Sequence, residues 1–158
     1  FSSDTKKGYD VNILIEFINN ILYGESTMNI AVIGMGHLGQ AITRYFNSKQ
    51  LKLKITAAFD IDPEKVGKTI DDIPCYAMSD FEEVMENNDI SIVVLSLPAK
   101  AATELVVPII NAGIKGVLNF TSAPLNFPQG IFVENYDITT ILEKVAYFVK
   151  AAEESENN

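Results

Sequence analysis

Several features that would indicate other classes of protein are scarce in this sequence. Its 158 residues include one cysteine, Cys75, which is expected to be a free, buried thiol. With no signal-peptide pattern, this cysteine usage points to a reducing compartment, the cytoplasm. No apolar run approaches the roughly 18 residues of a membrane span, so no membrane partner is expected. The 12 basic residues are scattered among 21 acidic ones, which argues against a nucleic-acid surface on this chain.

The remaining composition is typical of one well-buried α/β domain. Apolar residues make up 47% of the chain and charged residues 21%. Runs of β-branched residues alternate with stretches of helical periodicity, a pattern typical of a parallel sheet with helices on both faces. Strands are predicted over 30–33, 54–59, 75–76, 91–95, 116–120 and 131–133, and helices over 11–22, 38–47, about 80–87 and 99–111, the last kinked at Pro108.

The stretch 30–42 joins a buried strand to a G-x-G-x-x-G turn and then to a helix. Gly34 lets the chain leave the strand tightly, Gly36 leaves room for a pyrophosphate at the backbone amides, and Gly39 lets the helix pack on the sheet. Helix N-terminal amides favour phosphate. The motif predicts a Rossmann-like, doubly wound, mostly parallel sheet that binds a dinucleotide; a glycine turn that only packs is the alternative. The intervening Met35, His37 and Leu38 are predicted to belong to the cofactor-binding site.

An acidic residue stands where this fold places a ribose ligand. Asp60 lies 21 residues after Gly39, at the end of a second apolar run. A carboxylate there accepts the hydroxyls of the adenosine ribose. Asp62 and Glu64 follow and no arginine stands nearby, so NAD(H) is favoured over NADP(H). His37, the only histidine, is interpreted as a cofactor contact or as filler rather than as a general acid or base.

An apolar stripe follows the complete Rossmann unit. It begins after Asp137 and comprises Ile138, Ile141, Leu142, Val145, Phe148 and Val149. Such a helix covers its parent sheet or reaches into a second subunit, which would give a swapped homodimer. The expected organisation is a linker remnant at 1–10, a dinucleotide-binding domain with a leading helix at 11–136, the swapped helix at 137–152 and a disordered tail at 153–158.

With these residues in place, the chain resembles the NAD(H)-binding half of the Rex family of bacterial redox-sensing transcriptional repressors. The resemblance covers roughly residues 8–150. It rests on six blocks in the same order, namely Gly8-Tyr9-x-Val11, 32–39, 59–67, Leu97-Pro98-Ala99, 112–120 and 133–137.

The resemblance implies a dimeric sensor of the NADH to NAD⁺ ratio, in which a winged-helix domain binds operator DNA and NADH causes release. The glycine loop would hold the pyrophosphate, Asp60 the adenosine ribose, and Leu97 with Pro98 the cofactor cleft. Asn119 and Phe120 are counted with the cofactor-binding residues.

The resemblance also implies a relay across the dimer. Tyr45 and Asp137 match a Tyr and an Asp that transmit the redox state of the cofactor, and Ile138 stands where some relatives place an aromatic that reaches the partner's nicotinamide. From the residues alone, Tyr45 is better interpreted as a packed aromatic, and only the resemblance makes the relay role an equal alternative; Asp137 is also a suitable helix N-cap.

Three features depart from the family pattern. No winged-helix domain is recognisable, since residues 1–7 at best resemble the end of its last hairpin, so operator DNA is expected only through a domain absent from this sequence. Ile138 replaces an aromatic, and Thr121-Ser122-Ala123 replaces a more usual Ala-Pro segment.

Two other functions remain open. An NAD-dependent oxidoreductase fragment would need a proton donor and a substrate pocket, and the sequence offers no candidate catalytic residue and no metal-ligand pattern. A CoA-binding Rossmann module also opens with a glycine-rich turn, although Asp60 and the full motif count against it. The function expected is an NADH/NAD⁺-sensing regulatory domain, not an enzyme.

Overall fold

The computed structural model describes residues 11–23, 27–49 and 52–158. The expected linker remnant at 1–10 lies outside these ranges. The described elements follow one another in the order α1 (Val11–Tyr23), β1 (Met28–Ile33), α2 (His37–Asn47), β2 (Leu53–Phe59), β3 (Thr69–Ile70), β4 (Ile73–Tyr76), α3 (Phe81–Asn87), β5 (Ile90–Leu95), α4 (Ala99–Glu104), α5 (Val106–Asn111), β6 (Gly116–Asn119), β7 (Phe132–Asn135) and α6 (Ile138–Glu156).

The strands form one seven-stranded sheet in the order β3-β4-β2-β1-β5-β6-β7. All neighbours pair in parallel except β3 and β4, which form an antiparallel hairpin at one edge. The strand order reverses between β1 and β5, so their carboxyl ends open a crevice in which this kind of sheet binds ligands. The predicted Rossmann-like, mostly parallel sheet is therefore confirmed.

Each face of the sheet carries its own apolar core. On one face α3, α4 and α5 pack against Ala57, Phe59 and Leu95. On the other face α2 packs, through Ile42 and Phe46, against a second cluster that contains Val32. Helices on both faces explain why the central strands read as continuous apolar runs.

The helix predicted over 99–111 is two helices. A break at Leu105 separates α4 from α5, and the Leu105 amide bonds to the Ala102 carbonyl in a tighter turn. Pro108 has no amide proton to donate to the carbonyl of Glu104, and its ring crowds that carbonyl. The predicted kink is thus a full interruption one turn before the proline.

The edge hairpin was not predicted. Asp71 and Asp72 form its turn with φ of 50° and 66°, the conformation of a tight two-residue hairpin turn that Asp tolerates. Arg44 of α2 donates to Asp71 at 3.0 Å and ties the turn to the helix. Elsewhere the strand predicted over 131–133 lies at Phe132–Asn135.

The C-terminal helix is longer than predicted. It runs to Glu156, so residues 153–156, expected to be part of a disordered tail, are helical. Good helix formers continue to the end, and the Ser155 hydroxyl donates to the Ala151 carbonyl at 3.0 Å. None of its residues is buried, so within one chain α6 does not cover the parent sheet.

One part of the sheet also lacks a cover among the described residues. Ile92, Leu118 and Phe120 lie on the α2 face and are only partly buried. Phe132 of β7 alternates with Val133, which packs on the opposite face, and is 72% exposed. Among the described residues, the apolar stripe of α6 and this sheet face therefore both lack a partner within one chain. We call the sheet face formed by Ile92, Leu118, Phe120 and Phe132 the open face.

Candidate functional site

A cleft of about 510 Å³ lies at the carboxyl ends of β1, β2 and β5. Its ionisable side chains are Asp60, Lys65 and Glu104, and most of the remaining wall is apolar. Of the predicted site residues, it brings together Gly34, Gly36, Asp60, Leu97 and Pro98, and its other lining residues are Ile33, Phe59, Ile61, Met78, Phe81, Ser96, Ala101, Leu105 and Pro108.

Two of the motif glycines are required by packing. Gly34 has a φ of 100°, and a Cβ there would overlap the Ser96 carbonyl, whose carbon would be 2.7 Å away. A Cβ on Gly39 would overlap the Gly34 carbonyl oxygen and would lie 3.0 Å from Ser96 Oγ. Both positions therefore admit glycine alone, which matches the tight turn and the close helix packing predicted from the motif.

The middle glycine is different. A Cβ on Gly36 would meet no atom within 4 Å, although the residue lines the cleft. Gly36 is also the N-cap of α2, and no side chain caps the helix there. A site without local steric need for glycine, beside an uncapped helix N-terminus, fits a ligand that approaches the backbone.

The carboxylate of Asp60 holds the glycine loop. Its Oδ2 accepts the Met35 amide at 2.8 Å and its Oδ1 accepts the Asp62 amide at 2.9 Å. Its side chain is 12% exposed, so the charge lies in a largely dehydrated position. Asp60 thus orders the loop and presents a carboxylate to the cleft.

Sequence reasoning missed the role of Lys65. Its Nζ donates to the Met35 carbonyl at 3.0 Å and lies 3.9 Å from Asp60 Oδ2. Asp62 and Glu64, which follow Asp60 in the sequence, do not line the cleft, and Asp62 Oδ1 accepts the Glu64 amide. The spacing of five residues from Asp60 to Lys65 across a proline-led turn was the available signal.

The side chains inside the glycine loop point in different directions. Met35 is fully buried in the core on the α2 face, so only its backbone serves the loop. His37 and Leu38, the first residues of α2, are exposed and do not line the cleft.

Asn119 and Phe120 do not line the cleft. The Asn119 side chain is 1% exposed and fully occupied: Nδ2 donates to the Ala123 carbonyl and to Asn135 Oδ1, and Oδ1 accepts the Thr121 amide and hydroxyl. Asn119 has no free polar group for a cofactor. Phe120 makes an edge contact with Tyr136, with ring centroids 5.8 Å apart, next to the start of α6.

The predicted relay residues are separate in one chain. Tyr45 is 58% exposed on α2, and Lys49 lies over its ring at 4.7 Å from the centroid. Asp137 caps α6 by accepting the Thr139 amide at 3.1 Å and the Thr140 hydroxyl at 2.9 Å, which confirms it as an N-cap. Ile138 is 50% exposed. No hydrogen bond joins Tyr45 to Asp137 within the described part of a single chain.

Cys75 lies behind the site on β4. It is 2% exposed. Burial raises the pKa of its thiol above the ordinary 9.0, and the nearby Asp60 carboxylate adds to that rise while Lys65 opposes it. The free, buried thiol predicted from the sequence is confirmed.

The residues that the structure describes contain neither a candidate metal site nor a candidate membrane span. No group of three or more His, Cys, Asp and Glu residues stands close enough to hold a metal ion. None of the described helices has the length and apolar character needed to cross a membrane.

Comparison with known proteins identifies relatives of the chain. The CoA binding domain family matches residues 25–123. The Redox-sensing transcriptional repressor Rex of Listeria welshimeri is 40% identical over 152 residues, which are 95% of this chain and 71% of that protein.

Two solved structures share the fold closely. The Rex-family repressor RSP in complex with beta-NADH superposes with a TM-score of 0.78 at 30% identity, covering 95% of this chain and 73% of that one. RSP in complex with beta-NAD⁺ and operator DNA superposes with a TM-score of 0.76 at 29% identity, covering 98% and 71%. Residues 25–123 of the chain thus correspond to a CoA binding domain. From its sequence, its sheet and these matches, the chain belongs to the Rex family of redox-sensing transcriptional repressors.

Proposed function

We propose that this chain binds NADH and NAD⁺ in the cleft at the carboxyl ends of β1, β2 and β5 and acts as a sensor of their ratio. One observation carries the proposal: Gly36 opens on the cleft beside an uncapped helix N-terminus, and the Asp60 carboxylate, whose side chain is 12% exposed, stands next to it. A pyrophosphate would rest on the first-turn amides of α2, and Asp60 would accept the adenosine ribose hydroxyls. That a relative has been solved with each nicotinamide form supports the same ligand.

The other cleft residues divide between the two ends of such a ligand. Met78, Phe81 and Leu105 form an apolar wall suited to an adenine ring. Leu97 and Pro98 follow β5 and would lie toward the nicotinamide. Asn119 is proposed to act indirectly, by holding the 119–123 loop, because its side chain is already saturated.

We further propose that the chain is a sensor without catalytic turnover. The cleft offers Asp60, Lys65 and Glu104 as its ionisable groups, and both Asp60 and Lys65 are engaged with the Met35 backbone. A hydride-transfer enzyme needs a positioned proton donor near the nicotinamide, whereas Asp60 and Lys65 would lie at the adenosine end of the ligand as proposed here.

A homodimer is proposed in which α6 of one copy covers the open face of the other. The apolar stripe of α6 and Phe132 are exposed in one chain, and the sheet residues Ile92 and Leu118 are only partly buried, so covering the sheet face with the stripe would remove both surfaces from water. Such an exchange would bring Asp137 and Ile138 close to Tyr45 of the other copy. The oxidised nicotinamide carries a positive charge that the reduced ring lacks, which gives a carboxylate there a redox-dependent partner.

Sensing requires different affinities in two dimer arrangements. NADH and NAD⁺ share one site, so only the difference in their binding free energy between the arrangements can shift the population. A formal charge of −9 would repel the polyanionic backbone of DNA, so operator DNA is proposed to be contacted by residues other than those of this chain. A regulator of transcription of this kind acts in the cytoplasm.

The test is a calorimetric titration of the protein with NADH, NAD⁺ and CoA. We expect NADH to bind most tightly and CoA to bind weakly, because the 3′-phosphate on the ribose of CoA would meet the Asp60 carboxylate. Asp60→Asn should weaken NADH, while Asp89→Asn, an exposed acid at the opposite end of the sheet, should not. Tight CoA binding without NADH binding would favour a CoA module, and oxidation of NADH by alcohols or keto acids would favour an enzyme.

A further inference from the structure

The described part of the cleft holds one lysine, Lys65, which lies beside the Asp60 carboxylate proposed to bind the ribose. Lys65 enters from the turn that follows β2, where its amide bonds to the Asp62 carbonyl at 3.0 Å. Its Nζ reaches back to the Met35 carbonyl at 3.0 Å and lies 3.9 Å from Asp60 Oδ2. The side chain is 31% exposed, so its charge is partly open to the cleft.

Asp60 and Lys65 hold the same residue from two sides. The Met35 amide donates to Asp60 Oδ2 at 2.8 Å, and the Met35 carbonyl accepts from Lys65. Gln40 Nε2 also donates to that carbonyl at 2.9 Å. The carbonyl therefore keeps a donor when Lys65 is removed, so the loop does not depend on the lysine alone.

We propose that Lys65 is a specificity-determining residue, whose ammonium could pair with the 2′-phosphate of NADPH. The Asp60 carboxylate prevents this pairing in the native protein. This inference rests on the proposed binding of NADH in the cleft. A carboxylate that accepts the ribose 2′-hydroxyl repels the 2′-phosphate of NADPH. The ammonium within 4 Å of that carboxylate is correctly placed to pair with the phosphate, but its charge is neutralised by Asp60.

Removing the Asp60 carboxylate should allow Lys65 to bind the 2′-phosphate of NADPH. In Asp60→Ser the repulsion disappears and the ammonium loses its carboxylate partner, while the smaller side chain leaves space for the phosphate. One substitution would then convert an NADH-preferring site into one that accepts NADPH, with no new basic residue introduced. A lysine that only supports the loop would affect both coenzymes equally.

The experiment measures the affinity ratio of NADPH to NADH by calorimetry for the native protein, Asp60→Ser, Lys65→Gln and the double variant. We expect Asp60→Ser to raise the ratio by about tenfold or more, and Lys65→Gln in that background to reverse most of the gain. Lys65→Arg in the same background should keep the gain. Lys68→Gln, an exposed lysine of the same segment that does not line the cleft, is the matched control and should leave it unchanged.

Equal ratios for Asp60→Ser and the double variant would overturn the proposal, because the gain would then not depend on Lys65. If Asp60→Ser does not fold, Asp60→Asn takes its place, because the Asn side-chain oxygen can still accept the Met35 amide. The same comparison with Lys65→Gln then applies. If the native protein binds CoA and not NADH, the proposed function itself fails. Native NADH binding with an unchanged ratio in every variant overturns only the role of Lys65.

Discussion

Asn119 and Asn135 are joined by a hydrogen bond of 3.0 Å from Nδ2 to Oδ1, which links the carboxyl ends of β6 and β7. The Tyr136 amide donates to the Asn119 carbonyl at 2.8 Å in the same place. Phe120 packs on the Tyr136 ring one residue before the cap of α6. The end of β6 is therefore tied directly to the segment from which α6 departs.

Asn119→Ala should destabilise the protein by about 2–3 kcal/mol. The change leaves the buried Thr121 hydroxyl and the Ala123 carbonyl without their partner, and buried polar groups left unpaired cost about 1–3 kcal/mol. Asn135→Ala removes one bond at an exposed residue and should cost about 1 kcal/mol. Urea denaturation of the two variants makes the comparison, and equal losses would show that the Asn119 network is not what stabilises this junction.

Gly36→Ala and Gly39→Ala should separate binding from folding. Gly36→Ala adds a Cβ in open space, so we expect stability within about 0.5 kcal/mol of the native value but NADH binding at least about tenfold weaker. Gly39→Ala forces a Cβ onto the Gly34 carbonyl and should cost about 2 kcal/mol or more.

Thermal unfolding and an NADH titration on both glycine variants check this pair. Undiminished NADH affinity in Gly36→Ala would mean that the ligand does not approach the loop backbone. A fully stable Gly39→Ala would mean that α2 can move away from the sheet without loss.

Leu142→Asp with Val145→Asp should dissociate the proposed dimer. Both residues lie on the apolar stripe of α6 and are 66% and 53% exposed in one chain, so charges there would be buried in the exchanged arrangement. Lys150→Asp puts a carboxylate on the opposite side of the helix and should leave the dimer intact. Sedimentation velocity distinguishes the species; a double variant that stays dimeric, or a native chain that is monomeric, would refute the exchange of α6.

The stability of the protein should fall in alkaline solution partly through Cys75. Burial raises the pKa of this thiol above 9.0, so in the folded state it stays protonated while the thiol of the unfolded chain ionises near its ordinary value. The unfolded state then binds fewer protons, and the stabilising contribution present below pH 9.0 is lost as the pH rises toward the raised folded pKa.

Cys75→Ala should flatten this alkaline decline. Urea denaturation at intervals from about pH 8 to 10.5 would compare the slopes of the free energy of unfolding for the native protein and the variant. Parallel slopes would show that the thiol is not buried as described.

The sequence predicted the sheet and the turn because their signals are local. Continuous β-branched runs indicate buried parallel strands, and a strand followed by G-x-G-x-x-G indicates the phosphate turn, whatever the rest of the chain does. The edge hairpin escaped because β3 is two residues long and its turn uses two aspartates rather than Asn-Gly. The break at Leu105 was seen only as a kink because the pattern shows the missing donor of Pro108 but not how far the helix unwinds.

The sequence predicted the backbone path of the site better than the contacts of its side chains. Gly34, Gly36 and Asp60 line the cleft as expected, since the motif dictates where the chain turns. Asn119 is saturated by residues up to sixteen positions away, and Lys65 reaches a carbonyl thirty positions earlier. Such contacts depend on tertiary structure and leave no periodic trace in the sequence.

The central claim is that a dinucleotide binds with its pyrophosphate on the glycine loop and its adenosine ribose on Asp60. A crystal structure of the protein grown with NADH tests this most directly. The account predicts pyrophosphate oxygens at the first amides of α2 and a ribose hydroxyl within hydrogen-bond distance of Asp60. NADH bound elsewhere, or bound in the cleft with its ribose away from Asp60, would contradict it.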